Sequence, residues 1–224
     1  MNLSKAVSSL GTLSLMNFAR KHMEKLQSSN NAEVNGISER IAAALSPLEA
    51  AYAARRPLVS LWRDSAAAKD AADDALDNFI AAMSYELLGP SQLKGDRSHP
   101  SYRALFPEGN IRFINGPDRA EVVQVNAMAA HLKSHPEHPM ADRATALETM
   151  AATLDTALGP VVSAESALRQ AQQLEREKRS DLRRALRKSA ALIRAELMDE
   201  GLVGGLFPSV EESKVAEDAE DAAI

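Results

Sequence analysis

The histidines near position 135 come closest to the spacing of a metal site. In the segment HLKSHPEHPMAD, His131 and His135 are four residues apart, and His138 and Asp142 follow. Imidazoles four residues apart on a helix share a face and can bind one divalent ion such as zinc. The chain has no His-Glu-x-x-His or Glu-x-x-His pattern here. We therefore favour a histidine- and proline-rich connector, with a metal-dependent helical-bundle enzyme as the alternative.

Cationic side chains form the second candidate, a basic helix over residues 176–188. Four arginines recur there at helical spacing: Arg176, Arg179, Arg183 and Arg187. Such a face can be solvated, can pair within the protein, or can bind an acidic protein, nucleic acid or an anionic membrane. The neighbouring acids Glu175, Glu177 and Asp181 dilute its charge, and no aromatic residues lie between the bases for stacking on nucleotides. We expect a solvated or internally paired face.

Other catalytic patterns are missing from the sequence. It contains no Gly-x-Ser-x-Gly elbow, no Gly-x-x-x-x-Gly-Lys loop and no dinucleotide-binding glycine pattern. The run GLVGG at 201–205 is predicted to follow a helix, and the C-terminal end of the helix dipole does not favour a phosphate. The absence of cysteine excludes thiolate catalysis and disulfides. No catalytic residue, cofactor or bound metal is therefore predicted, and a protein without enzymatic activity is favoured.

Charge is distributed unevenly along the chain. The formal net charge is −5, and residues 211–221 alone hold six acids and one base. The preceding residues are close to neutral overall, whereas nucleic-acid-binding domains are usually clearly basic. This distribution argues against nucleic acid and membrane as partners, and it predicts an acidic disordered tail over 211–224. No apolar run reaches the roughly 20 residues of a membrane span, and we expect a cytoplasmic protein.

Apolar residues with a spacing of three and four dominate the pattern and predict helices. The predicted helices cover residues 2–28, 37–88, 118–134 and 141–198. Pro47 and Pro57 lie inside the second, and Gly159 with Pro160 inside the last, so each long segment is either one kinked helix or a hairpin. Aromatic residues make up only 4% of the chain, which favours narrow alanine-rich seams. The sequence predicts an all-α fold, an elongated antiparallel bundle of two long kinked elements.

Similar segments in the two halves indicate a tandem pseudo-repeat. Residues 71–87 align without a gap to residues 181–197, and Leu-Phe-Pro occurs at 105–107 and again at 206–208. The predicted divisions are an N-terminal amphipathic helix (1–30), a first long helical unit with a Leu-Phe-Pro lid (31–110), a connector with a short helix (111–140), a second long unit (141–210) and the acidic tail (211–224).

Charge is where the two aligned segments differ most. Asp73, Asp74 and Asp77 of the first correspond to Arg183, Arg184 and Arg187 of the second. Opposite charges at equivalent positions of two packed helices could set their register, so we expect these residues to pair inside the molecule.

The function that we favour is that of a structural or scaffold protein. Its long helical surfaces are suited to contact with a protein partner or with a second copy of the chain, and Arg176, Arg179, Arg183 and Arg187 are the candidate interaction face. The alternatives are the metal-dependent enzyme based on His131 and His135, and nucleic-acid or anionic-membrane binding through residues 176–188.

Overall fold

Helices account for most of the structure. It is a computed structural model that describes residues 7–29, 31–107, 109, 118–197 and 204–214. The helices are α1 (Thr12–Gln27), α2 (Ala32–Leu87), α3 (Pro100–Leu105), α4 (Asp118–Ser134), α5 (Ala144–Leu197) and α6 (Val210–Ser213), with a 3₁₀ segment at Ala141–Arg143. No strand occurs among the described residues. The all-α prediction is confirmed.

Both long segments are single helices rather than hairpins. α2 has 56 residues with Pro47 and Pro57 inside it, and α5 has 54 residues with Pro160 inside it. Each proline removes one backbone N–H from the helix, but the hydrogen bonds and the buried stripe on either side remain. The end of α2 agrees with the predicted stop: a Cβ on Gly89 would lie only 3.0 Å from the carbonyl oxygen of Glu86.

The first helix, predicted over residues 2–28, is interrupted before Thr12. Residues 2–6 lie outside the described part of the chain, and residues 7 and 8 are helical. Gly11 is its N-cap, with an extended backbone (φ −64°, ψ 175°), and α1 starts at Thr12. Glycine and the serines before it disfavour a helix interior, which is why the helix predicted from residue 2 is interrupted there.

The chain divides into two compact units, the first formed by Met1–Val59 and Ala167–Ile224. Its core combines side chains of α1, of the first part of α2 and of the last part of α5. Its almost fully buried members include Leu15, Phe18, Leu26, Ile41, Leu48, Leu182, Leu186 and Ile193. Burial of these apolar side chains holds three segments that are far apart in sequence.

The second unit is formed by Ser60–Ser166. Its core combines the last part of α2, helices α3 and α4, and the first part of α5. Its buried members include Leu76, Ile80, Met83, Leu87, Leu105, Phe106, Val125, Leu132, Leu147 and Leu154. Each unit therefore has its own hydrophobic core, and each core takes residues from both long helices.

Among the described helices, none combines the length and the apolarity that a membrane span requires.

Candidate interaction surface

Helix α5 carries the predicted arginine row, and Arg183 is its most enclosed member. The Arg183 guanidinium donates to three backbone carbonyls just before α1: those of Val7 (3.2 Å), Ser8 (3.1 Å) and Leu10 (2.8 Å). The arginine thus supplies hydrogen bonds to carbonyls of the turn that precedes α1. Arg183 therefore ties α5 to the start of α1.

The other members of the row remain without a carboxylate. Arg176 and Arg187 are exposed and Arg179 is half-buried, and none of the three forms an ion pair in the described part of the chain. Burial lowers the pKa of Arg183, and the positive charges of Arg179 and Arg187 lower that pKa further. The row is thus a local concentration of positive charge that the described residues do not neutralise.

The acids expected to dilute this charge are engaged elsewhere. Asp181 pairs with Lys178 (3.9 Å) and Arg184 (3.7 Å), while Glu177 accepts a hydrogen bond from Gln173. Glu175 points into the core of the first unit. The sequence shows which acids are near the row but not which way they turn.

Glu175 forms a buried ion pair that the sequence analysis missed. Its Oε2 lies 2.6 Å from Nε of Arg55, and both side chains are about nine-tenths buried. Thr12 donates its hydroxyl to Oε1 of the same carboxylate at 2.5 Å, and the Arg55 guanidinium lies 5.5 Å from the centre of the Tyr52 ring. One carboxylate therefore connects α1, α2 and α5.

The expected pairing of aspartates with arginines is replaced by other contacts. Asp73 and Asp77 lie in the second unit, where they face Glu121 at the start of α4, whereas Arg183 lies in the first unit against backbone carbonyls. That expectation was wrong because Asp73 and Asp77 contact Glu121 of α4, whereas Arg183 contacts the backbone that precedes α1.

Glu121 and the two aspartates form a carboxyl cluster. Glu121 is 3% exposed, and burial together with the charges of Asp77 and Asp73 raises its pKa to about 8. Burial and the charge of Asp73 also raise the pKa of Asp77. Oε1 of Glu121 and Oδ1 of Asp77 are buried and receive no hydrogen bond from another group of the described chain. When Glu121 is protonated, its carboxyl group can donate a hydrogen bond to the carboxylate of Asp77.

The predicted histidine cluster does assemble in the second unit. The rings of His131 and His135 stack with centroids 4.1 Å apart, and His138 meets His131 edge-on at 6.2 Å. Burial lowers the pKa of His131, and the neighbouring imidazoles contribute to that shift.

Both ring nitrogens of His138 already have protein partners. Nε2 of His138 donates to the Ser101 carbonyl (3.0 Å), and its Nδ1 accepts from the Met140 N–H (3.1 Å). Asp142 is exposed and lies 3.8 Å from Arg143. In the described part of the chain, no group of three or more His, Cys, Asp or Glu side chains is arranged to hold a metal ion. His138 is therefore held by backbone groups of Ser101 and Met140.

His22, which the sequence analysis did not consider, is buried in the first unit. Nδ1 of His22 donates to the Leu206 carbonyl (2.7 Å), and Nε2 lies 3.1 Å from the Ser189 hydroxyl. The ring stacks on Phe207 with centroids 4.1 Å apart. Burial lowers the pKa of His22 to about 4, so the imidazole is neutral at pH 7. His22 thereby fastens the segment that follows α5 to α1.

The chain matches no family model, no curated protein and no solved structure.

Proposed function

We propose that this chain is a non-enzymatic interaction protein whose arginine row binds an acidic segment of a protein partner. The observation that carries the proposal is the absence of a carboxylate partner for Arg176, Arg179 and Arg187 within the described residues. Exposed guanidinium groups bind carboxylates in a bidentate manner, and each pair adds specificity as well as affinity. Arg187 lies eleven positions after Arg176 on α5, a distance of roughly 16 Å along the helix axis. A short acidic peptide can extend over this length.

An acidic protein segment fits this row better than nucleic acid or lipid. The bases are arranged in one line without aromatic side chains between them, and the chain outside its acidic end is close to neutral. Nucleic-acid surfaces usually combine a broad basic face with stacking aromatics, and stable attachment to anionic lipid needs an apolar anchor as well.

The rigid helix that presents the row belongs, in this proposal, to an antiparallel bundle built from a tandem repeat. Each unit contains part of both long helices, two shorter helices and one Leu-Phe-Pro segment. Aligned positions are buried in both copies, as Leu76 and Leu186 are, and likewise Met83 and Ile193. This agreement supports duplication of a unit that comprises a short helix, a long helix and a lid.

Binding of a labelled ten-residue glutamate peptide, measured by fluorescence anisotropy at low salt, tests the function. It is measured with the native chain and with a neutral-tail variant, in which amides replace the four acids Glu217, Asp218, Glu220 and Asp221, so that these acids cannot compete. Saturable binding is expected, and it should weaken at least tenfold when Arg176, Arg179 and Arg187 are all changed to Gln. Lys188→Gln removes one charge from another face of α5 and should leave the affinity within twofold.

Two results contradict the proposal. One is the absence of saturable binding to both the native chain and the neutral-tail variant. The other is tighter binding to duplex DNA, or to vesicles containing phosphatidylserine, than to the glutamate peptide at equal ionic strength, with the same dependence on the arginines.

A further inference from the structure

The segment after α5 is fixed along α1 in the opposite direction. Four side chains of α1 reach its backbone carbonyls, and from Phe207 to Ser213 their positions on α1 run backwards. His22 donates to Leu206, Lys25 to Phe207, Lys21 to Glu212 and Asn17 to Ser213. A capping box of Ser209 and Glu212 starts α6 within this segment. The acidic tail predicted from residue 211 thus begins with a helix that is held against α1, and residues 215–224 lie outside the described chain.

The described segment runs toward the start of α1. Its contacts at Phe207, Glu212 and Ser213 are with Lys25, Lys21 and Asn17 in turn, so the described chain ends one residue after a contact with Asn17. The backbone just before that start, at Val7, Ser8 and Leu10, is the part that Arg183 holds. From Asn17 to the start of α1 is roughly 8 Å of helix. Ten extended residues reach about 33 Å, so residues 215–224 are long enough to reach the row.

Charge complements this geometry. Residues 215–224 contain four acids and no base: Glu217, Asp218, Glu220 and Asp221. The row offers cations at Arg179 and Arg187 beside Arg183, and their mutual repulsion decreases when carboxylates approach. The arginine row belongs to the first unit.

We propose that residues 215–224 bind the arginine row of the same chain and compete there with the acidic partner. This inference rests on the proposed function, because it makes the chain's own acids a regulator of the same surface. A tethered segment acts at an effective concentration in the millimolar range, so even weak carboxylate contacts compete with a free peptide. An external partner must then carry more acids than the tail or engage Arg176 as well.

The test compares the native chain with the neutral-tail variant. The variant should bind the glutamate peptide at least fivefold more tightly than the native chain at low salt, and the difference should shrink as salt screens the tail. A matched control changes four exposed acids elsewhere to amides, namely Glu33, Glu39, Asp64 and Asp155. The control has the same net charge as the neutral-tail variant and should bind like the native chain.

A second measurement detects the contact without any peptide. In ¹⁵N spectra, the Nε–H signals of Arg179 and Arg187 should move between the native chain and the neutral-tail variant, while that of Arg20, which pairs with Glu49, should not. Equal peptide affinity of the native chain and the variant, with unmoved arginine signals, would overturn the inference and leave the proposed function standing. Failure of both proteins to bind the peptide would instead overturn the proposed function.

Discussion

At the scale of single residues, His22 is a buried base held neutral by its surroundings. Its pKa in the folded chain is lowered from 6.5 to about 4, first by burial. An unfolded chain takes up this proton near pH 6.5, so the stability that depends on neutral His22 is complete above that pH. This stability is lost as the pH falls from about 6.5 toward 4, and the loss in the free energy of unfolding amounts to roughly 3 kcal/mol.

The free energy of unfolding, measured by urea denaturation between pH 7 and pH 4, should therefore fall with a clear contribution from His22. In a His22→Gln variant, which cannot take up the proton, the fall should be smaller by roughly 3 kcal/mol. Asn35→Gln changes an exposed residue of α2 that does not titrate and should leave the slope unchanged. A native slope in His22→Gln would show that this imidazole is not the group responsible.

Glu121 has the opposite dependence on pH. Its pKa is raised from 4.5 to about 8, so the folded chain keeps the carboxyl group protonated where an unfolded chain would lose the proton. The resulting stability is complete below about pH 4.5 and is lost as the pH rises through about 8. The physical cause is burial beside Asp77 and Asp73.

A Glu121→Gln variant should be more stable than the native chain above pH 8. The amide keeps the shape of the side chain but has no proton to lose, so the gain in thermal midpoint should grow between about pH 4.5 and pH 8, level off above pH 8 and vanish near pH 4. Glu137→Gln, an exposed control on the loop after α4, should give no such trend. A loss of stability in Glu121→Gln that is constant with pH would indicate that only the shape of the carboxyl matters.

At the scale of helices, the buried pair of Arg55 and Glu175 joins α2 to α5, and Thr12 adds α1. Glu175→Ala leaves a buried guanidinium without its carboxylate and should lower the free energy of unfolding by about 3–5 kcal/mol. Breaking the exposed pair of Arg20 and Glu49 with Arg20→Ala should cost about 1 kcal/mol or less. Urea denaturation at pH 7 measures both.

A double variant separates the charge effect from packing. Arg55→Met combined with Glu175→Leu replaces the pair by apolar side chains of similar size and should recover much of the loss seen in Glu175→Ala. A double variant as unstable as Glu175→Ala would mean that geometry, rather than an uncompensated charge, sets the cost.

Helix positions followed from sequence far better than helix partners did. The spacing of apolar residues located α2, α4 and α5 to within a few residues of their observed bounds. It could not decide whether Pro47, Pro57 and Pro160 break a helix, because that depends on whether the flanking turns are buried against neighbours. Charge pattern was a weaker guide still, since Asp73 and Arg183 turned out to have different partners in different units.

At the scale of the whole molecule, two hydrophobic cores share the two long helices. His22 lies in the first unit and Glu121 in the second, so acid weakens one core and alkali the other. The two contributions oppose each other between about pH 4.5 and 6.5, and above pH 6.5 only the loss from Glu121 continues. The combined contribution of these two groups is therefore expected to be highest between about pH 4.5 and 6.5. In each unit, Leu and Phe of a Leu-Phe-Pro segment pack on the core of that unit.

The sequence by itself determined the helices, the all-α class, the close spacing of the histidines and the line of arginines on one helix. These are local properties, because helical periodicity places residues three and four apart on one face whatever else is nearby. Only the tertiary structure decided which side chains meet. In the folded chain Glu175 pairs with Arg55 in the core and not with the arginine row. The ring nitrogens of His138 bond to backbone groups, and Glu121 lies beside two aspartates. Such contacts join residues as far apart as Thr12 and Glu175, which are separated by 163 positions, or Asn17 and Ser213, which are separated by 196, and no spacing rule along the chain predicts them.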